Sequence, residues 1–169
     1  MTTHTKWLTA EERAAWVQLS AVLELLPGAL DSQLRRDADL TYFGYYVLEM
    51  LSEAPDRTLR MSALAAQANA SLSRLSHVVS RLEDRGLVER FTCREDGRAT
   101  NVQLTEAGWT KVQESAPGHV ATVREHVIDT LTAEQVDQLA TITAALLTRL
   151  DPDGTMAPGH DHEASSRVA

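Results

Sequence analysis

The 169-residue sequence predicts a mainly α-helical fold with one small β-hairpin, an α+β arrangement with helices at both ends of the chain. Two observations predict it. Leucine and valine recur at three- and four-residue spacing over most of the chain, which is the period of amphipathic helices. Residues 98–104 instead alternate polar and apolar side chains after an Asp-Gly pair, as β-hairpins do. Hydrophobic residues make up 43 % of the chain, which is enough for a sizeable core.

The first helix is predicted from Thr9 to about residue 36. Thr9 and Glu12 have the spacing of a capping box, in which each side chain bonds the other residue's backbone N–H. A stripe of leucines beginning at Trp16 gives the helix one apolar face. Pro27-Gly28 lies inside this stretch and predicts a kink or a short break, because proline lacks the N–H that a helix needs.

Two further helices are predicted towards the other end of the chain, over residues 105–130 and 132–150. Pro117-Gly118 is expected to bend the first of them. A second capping box opens the other at Thr132, and its leucines are expected to face inward. Residues 151–169 turn to Pro, Gly, Asp, His and Ser, and we expect them to be disordered.

The centre of the chain, residues 41–104, predicts a short helix, a turn, a longer helix and a β-hairpin. The expected elements are helices over 41–52, 62–68 and 71–85 and strands over 87–94 and 98–104. Ser62 is expected to cap the short helix. Gly86 suits the left-handed position that ends the long one. This order is that of a winged helix-turn-helix, with a wing at about 87–104.

The helix over 71–85 has an apolar face and a small polar face. At about 100° per residue, Leu72, Leu75, Val79 and Leu82 share the apolar one. The candidate DNA-contacting residues around the other are Ser71, Ser73, Arg74, Ser76, His77, Ser80 and Arg81. Small residues let the helix approach a groove floor, and arginine bonds guanine edges or phosphates. A solvated face is the alternative, but such faces usually mix both charges, and here Asp84 is the only acid.

Three charged residues surround the expected hairpin tip: Arg94, Asp96 and Arg98. Arginine on a hairpin tip fits the narrow, electronegative minor groove beside a helix in the major groove. Asp96 would contact DNA poorly, so we expect it to hold Arg98 through a charge-assisted hydrogen bond. A surface turn with a salt bridge is the alternative interpretation.

Net charge is uneven along the chain. The total of −8 argues at first sight against nucleic acid. Residues 57–98, however, hold eight arginines and five acids, a net of +3, whereas the rest of the chain carries −11. A basic centre between acidic flanks is typical of a local phosphate contact surface, although an arginine-rich surface without a ligand has the same pattern.

Residues 59–108 resemble the core of the MarR family of bacterial regulators. The matching stretches are Leu72-Ser-Arg-Leu-Ser76, Val79-Ser-Arg-Leu-Glu-Asp-Arg-Gly-Leu-Val-Glu-Arg90, Asp96-Gly-Arg98 and Val102-Gln-Leu-Thr-Glu-Ala-Gly108. Their spacing from recognition helix to wing also matches. The flanking helices extend the resemblance to about residues 9–150.

The resemblance implies a homodimer that binds double-stranded DNA. Residues 9–36 and 105–150 would form the dimerisation helices around a DNA-binding lobe at 41–104. The residues that it places in the major groove are Ser73, Arg74, His77 and Arg81, with Arg98 in the minor groove. It also implies a pseudo-palindromic operator with half-sites about one helical turn apart, and repression by promoter occlusion as the common mode.

Many members of the family bind a small aromatic or anionic effector between the dimer helices and the DNA-binding lobe. The candidate wall of such a pocket consists of Trp16, Tyr42, Tyr45, Tyr46 and His119. Tyr45 and Leu48 are expected to point away from the main apolar stripe of their helix, towards the ligand. Core packing is the more frequent role of aromatic residues in a helical dimer and is the alternative.

The sequence lacks the motifs that enzymes, metal-binding proteins and membrane proteins usually carry. The sequence has no glycine-rich phosphate loop and no nucleophile elbow, so we expect no enzyme and no cofactor. Cys93, alone in the chain, is expected to be an inert wing residue, and His160 and His162 make a poor metal site. Apolar runs are too short to span a bilayer and no signal-peptide core is evident, so a cytoplasmic location is expected. A winged helix that binds protein instead of DNA is the remaining rival.

Overall fold

A computed structural model describes residues 5–92, 97 and 99–156 of the chain. Its helices are α1 (Ala10–Ala38), α2 (Tyr42–Glu53), α3 (Met61–Gln67), α4 (Leu72–Asp84), α5 (Glu106–His126) and α6 (Ala133–Leu150). Its strands are β1 (Thr58–Arg60), β2 (Val88–Thr92) and β3 (Thr100–Leu104). Short 3-10 turns precede β1 and α6, at Pro55–Arg57 and Ile128–Thr130. The predicted fold class is confirmed.

The three strands form one antiparallel sheet in the order β1-β3-β2. The wing strands pair from Val88 opposite Leu104 to Thr92 opposite Thr100. β1 adds a third strand, with Leu59 opposite Val102. Because β1 directly precedes α3, this pairing joins the wing to the start of the helix-turn-helix.

The helix ends follow the predicted caps in most places. The Thr9 hydroxyl accepts from the Glu12 N–H at 3.2 Å, and the Glu12 carboxylate accepts from the Thr9 N–H at 2.8 Å. Thr132 opens α6 with the second capping box. Gly86 has a φ of +70°, the left-handed conformation expected after α4.

Two boundary predictions are wrong, and of the two alternatives at Pro27 the short break does not occur. α1 is one continuous helix through Pro27. α5 ends at His126, before a separate 3-10 turn, and does not reach residue 130. α3 begins at Met61 with Arg60 at its N-cap, so Ser62 lies inside the helix and does not cap it.

The core lies in the central lobe, where α2, α3, α4, the sheet and the start of α5 meet. Its most buried side chains are Leu34, Tyr45, Val47, Leu48, Leu51, Leu64, Leu75, Val79, Val88 and Val102. Leu34 enters this cluster from α1, so the C-terminal half of the long helix belongs to the lobe. The N-terminal half does not.

Gly108 fixes the junction between the wing and α5. A Cβ at this position would lie 2.0 Å from the Leu87 carbonyl oxygen, so only glycine lets the two backbones approach so closely. The Thr105 hydroxyl adds a bond across the same junction, donating to the Gly86 carbonyl at 2.7 Å. The Leu-Thr-x-x-Gly pattern at 104–108 therefore holds the end of the wing against the start of α5.

The terminal helices leave apolar side chains exposed in the single chain. On α1 these are Trp16, Val17, Leu19, Val22, Leu23 and Leu25, and on α6 they are Leu139, Ile142, Leu146, Leu147 and Leu150. The inward orientation predicted for the leucines of α6 is wrong within one chain, because the described residues of that chain leave Leu139, Leu146 and Leu150 exposed.

Candidate DNA-binding surface

The recognition helix α4 is anchored by one buried face. Leu75, Val79 and Leu82 lie in the core of the lobe, and each is exposed by 3 % or less. Ser71 caps the helix, its hydroxyl accepting from the Arg74 N–H at 3.2 Å. Such burial fixes the rotation of the helix about its axis, which decides what it presents to solvent.

The opposite face of α4 carries the residues predicted to contact DNA. Ser71, Ser73, Arg74, His77 and Arg81 are exposed, and Ser76 and Ser80 are half-buried at its edges. The structure therefore brings all seven to one side of the lobe, next to the wing. Short serine side chains leave the helix backbone open to a close approach by a groove floor.

Leu72 departs from the prediction. It was expected on the buried face, but its side chain is 56 % exposed. Leu72 is the first residue of α4. A helical wheel gives the angle of a side chain around the helix axis but not whether other residues cover it. The core begins further along α4, so Leu72 at the start of the helix stays exposed.

Arg74 is held against the lobe by an aromatic ring. Its guanidinium carbon lies 4.3 Å from the centre of the Phe43 ring, a cation–π contact between α4 and the start of α2. The planar guanidinium stacked in this way is oriented before any ligand arrives. The position of Phe43 beside a DNA-contact candidate was not predicted from the sequence.

An ion pair connects α4 to the wing. Arg90 on β2 donates its backbone N–H to one Glu83 oxygen at 2.9 Å and its Nε–H to the other at 2.8 Å. The hydrogen bond from the Arg90 side chain holds the pKa of the Glu83 carboxyl below its ordinary value. Arg90 lies on the strand that follows α4, beyond the turn at Gly86, so a helical wheel does not pair it with Glu83.

Two further arginines of the basic centre serve the fold. Arg57 pairs with Glu106 at 2.8 Å and lies 4.4 Å from the centre of the Trp109 ring. Arg85 donates to the Asp39 carbonyl at 2.7 Å. The count of arginines in 57–98 therefore overstates the positive charge available to phosphate, and the shape of the α4 face is the stronger argument.

The predicted wing contacts Arg94, Asp96 and Arg98, and also Cys93, lie outside the described residues. The paired strands on either side, up to Thr92 and from Thr100, confirm the hairpin that would carry them. The roles assigned to these four residues stay predictions. His160 and His162 of the tail lie outside the described residues as well.

Four of the five candidate effector residues come together. The centres of the Tyr42 and Tyr46 rings lie 6.4 Å apart, and the His119 ring lies 6.1 Å from Tyr42 and 4.8 Å from Tyr45. Trp16 does not join them, since it is 57 % exposed on the N-terminal half of α1. Trp16 precedes Leu30, the first buried residue of that helix, by about 21 Å along the axis.

Tyr45 is a core residue. It is 1 % exposed and Leu48 is fully buried, so the expectation that both point away from the main apolar stripe is wrong. α2 contacts α1, α4, α5 and β3, and it therefore buries side chains in more than one direction. The alternative of core packing holds for Tyr45.

The surroundings of the tyrosine cluster are acidic. Burial, with Glu49 and Glu53 nearby, raises the pKa of Tyr46, and Asp151 adds to the effect. Burial raises the pKa of Glu49 and lowers the pKa of His119, so each neutral form is favoured. The His119 Nδ1 and the Gln33 Oε1 are buried without a hydrogen-bond partner among the described residues.

A cavity of about 870 Å³ lies between α2 and α6. Tyr46, Glu49, Met50 and Glu53 line it from α2, and Ala140, Thr143, Ala144 and Leu147 line it from α6. Tyr46 is thus the one predicted pocket residue on its wall.

Within residues 5–92, 97 and 99–156, no group of three or more His, Cys, Asp or Glu is placed to hold a metal ion. No helix in that part of the chain is long and apolar enough to cross a membrane.

Comparison with solved structures decides the family. Sco3205 of Streptomyces coelicolor, a MarR family transcriptional regulator solved in complex with DNA, is 43 % identical; the match covers 86 % of this chain and 95 % of that one, with a TM-score of 0.82. The chain belongs to the MarR family. AbsC, another MarR family regulator from S. coelicolor, is 38 % identical over 86 % of this chain and 98 % of that one, with a TM-score of 0.80. The MarR family model itself matches residues 39–99.

Curated relatives of this MarR protein are also regulators. YfiV of Bacillus subtilis, an uncharacterised HTH-type transcriptional regulator, is 36 % identical over 99 residues, which are 59 % of this chain. The transcriptional repressor MprA of Escherichia coli is 29 % identical over 107 residues, 63 % of this chain. In both cases the match spans 60 % of the relative's length. The relatives are transcriptional regulators and not enzymes, as the sequence analysis expects of this chain.

Proposed function

We propose that this MarR protein binds double-stranded operator DNA as a homodimer and represses transcription. The observation that carries the proposal is the exposed face of α4, where serine, histidine and arginine stand beside the wing on a helix locked by buried leucines. The DNA complex of Sco3205 and the repressor activity named for MprA support it by similarity. Such a role places the chain in the cytoplasm, with the DNA.

The homodimer is supported by the uncovered faces of the terminal helices. Leucine, valine and tryptophan side chains stay open along half of α1 and most of α6. Exposed apolar side chains that lie together on a helix surface usually mark an interface. A twofold dimer would bury the same faces of both copies and set two α4 helices side by side for two half-sites.

DNA binding is tested with fragments that the protein selects from its own genome, measured by fluorescence anisotropy across a salt series. Arg81→Ala should weaken binding by about 10-fold or more if Arg81 bonds a base, or reduce the salt slope by about one if it bonds a phosphate. Arg13→Ala is the matched control, an exposed arginine at the other end of the chain, on α1. Wild-type protein that retains no fragment at low salt would favour the rival role in protein contact.

We also propose that an aromatic effector without negative charge modulates DNA binding. Tyr42, Tyr46 and His119 offer ring faces for stacking. The negative charge of Glu53 near the cluster disfavours an anion, and a neutral Glu49 does not attract one, so we keep only the aromatic ligand of the two that were expected. DNA release by neutral phenols should exceed release by the matching benzoates; Glu53→Gln should narrow that difference, and His119→Ala should weaken release by the phenols. Equal release by both, or by neither, contradicts the proposal.

A further inference from the structure

Leu72 is the one large apolar side chain of α4 that the described part of the chain leaves open to solvent. It follows the N-cap Ser71 directly and is 56 % exposed, whereas the other leucines and Val79 of the helix are buried. Its neighbours on the exposed side are serines, an arginine and a histidine. An apolar group therefore stands at the leading end of α4, at the edge where the buried face of the helix meets its polar recognition face.

Leu72 borders a groove of about 500 Å³ between the starts of α3 and α4 and the wing. Met61 and Ala99 supply further apolar lining, and Arg60 and Arg90 stand on the rim. Hydroxyl side chains complete the wall. The groove thus combines an apolar patch with hydroxyl groups and the arginine that is paired with Glu83, a mixed lining that suits the edge of a DNA strand better than a protein core or an apolar ligand.

Leu72 lies at the end of α4 that would enter a major groove first. Side chains of an α-helix lean towards its N-terminus, so the first residue projects beyond the helix start. In helix-turn-helix proteins the N-terminal residues of the recognition helix contact base edges in the major groove. The apolar group that the major groove presents is the C5-methyl of thymine.

We propose that Leu72 reads a thymine methyl group in each operator half-site. The inference rests on the proposed function, since it needs α4 in the major groove. It adds a contact that carries sequence information without a hydrogen bond. Burial of one methyl against leucine corresponds to about fourfold in affinity, and two half-sites together to about 15-fold.

Deoxyuridine tests this directly, because it removes the methyl and leaves every hydrogen-bonding group of thymine in place. Each thymine of a selected operator is replaced in turn, in one half-site and then in both, and binding is measured by anisotropy. Wild-type protein should lose about fourfold at one thymine position per half-site and little at the others.

The variants connect that loss to Leu72. Leu72→Ala should bind the thymine and deoxyuridine operators equally, and Leu72→Met should keep most of the difference. Ser73→Ala, on the same turn, should change affinity but leave the methyl effect in place. Because Leu72 is exposed, unchanged thermal unfolding of its variants is expected.

The outcomes separate the two proposals. If wild-type protein binds the operator but loses nothing at any deoxyuridine, Leu72 reads no methyl, although operator binding stands. If Leu72→Ala keeps the full methyl effect, the effect belongs to another residue and the assignment to Leu72 is overturned. If wild-type protein binds no selected fragment, the proposed function itself fails.

Discussion

Most leucine side chains are buried in the central lobe, and most are exposed on the terminal helices. In the lobe, Leu51, Leu64 and Leu75 are fully buried by the same chain. On α1 and α6, Leu23 and Leu146 repeat with similar helical spacing but stay exposed. The same helical spacing of leucine thus leads to buried side chains where another element of the chain packs against the helix, and to exposed side chains where none of the described elements does. The lobe buries the leucines under its DNA-binding face within one chain, whereas we propose that a second copy covers those of the terminal helices.

The largest expected effect comes from the lobe. Leu75→Ala removes a fully buried side chain from under α4 and should lower the free energy of unfolding by about 2–5 kcal/mol. Chemical denaturation at fixed protein concentration measures it. A loss below 1 kcal/mol would show that α4 is not anchored as described.

The junction at Gly108 should be nearly as sensitive. Gly108→Ala puts a methyl group 2.0 Å from the Leu87 carbonyl and should cost about 1–3 kcal/mol as the wing moves away from α5. Gly28→Ala is the control, because nothing lies within 4 Å of the added methyl on a helix. It should be neutral or stabilise by about 0.4–1 kcal/mol. Equal thermal shifts in both variants would argue against the close approach.

Substitutions on the terminal helices should weaken dimer formation and leave the fold of the lobe unchanged. Leu146→Ala acts twice in a symmetric interface and should weaken dimer formation by about 10-fold to 100-fold. The secondary structure by circular dichroism should be unchanged at high concentration. A dilution series followed by sedimentation measures the shift, and an unchanged dissociation constant would remove Leu146 from the interface.

The smallest effect is expected at the ion pair between Glu83 and Arg90. The pKa of Glu83 is lowered in the folded chain, so its contribution to stability is present above its ordinary value of 4.5. That contribution is lost as the pH falls through the lower, folded pKa. Glu83→Gln should therefore be less stable than wild type at pH 7, and the gap should close in acid. A gap that does not vary with pH would mean that the pair contributes nothing through its charge.

Sequence alone predicted what depends on near neighbours. Ser71 and Gly86 mark the ends of α4 because caps are made within four residues, and Asp96-Gly97 marks the hairpin for the same reason. Tyr45 and Leu72 were placed wrongly, since a helical wheel gives angles but not the elements packed around a helix. The Glu83–Arg90 pair could not be predicted from spacing, because it crosses a turn between a helix and a strand.

The central claim is a dimer that binds one operator through two recognition helices. Sedimentation of the protein alone, and with a selected operator fragment, tests it most directly. We predict the mass of two 18.6 kDa chains at micromolar concentration, and a complex that holds those two chains on one fragment. The mass of a single chain in solution, or a single chain on a full operator, would contradict it.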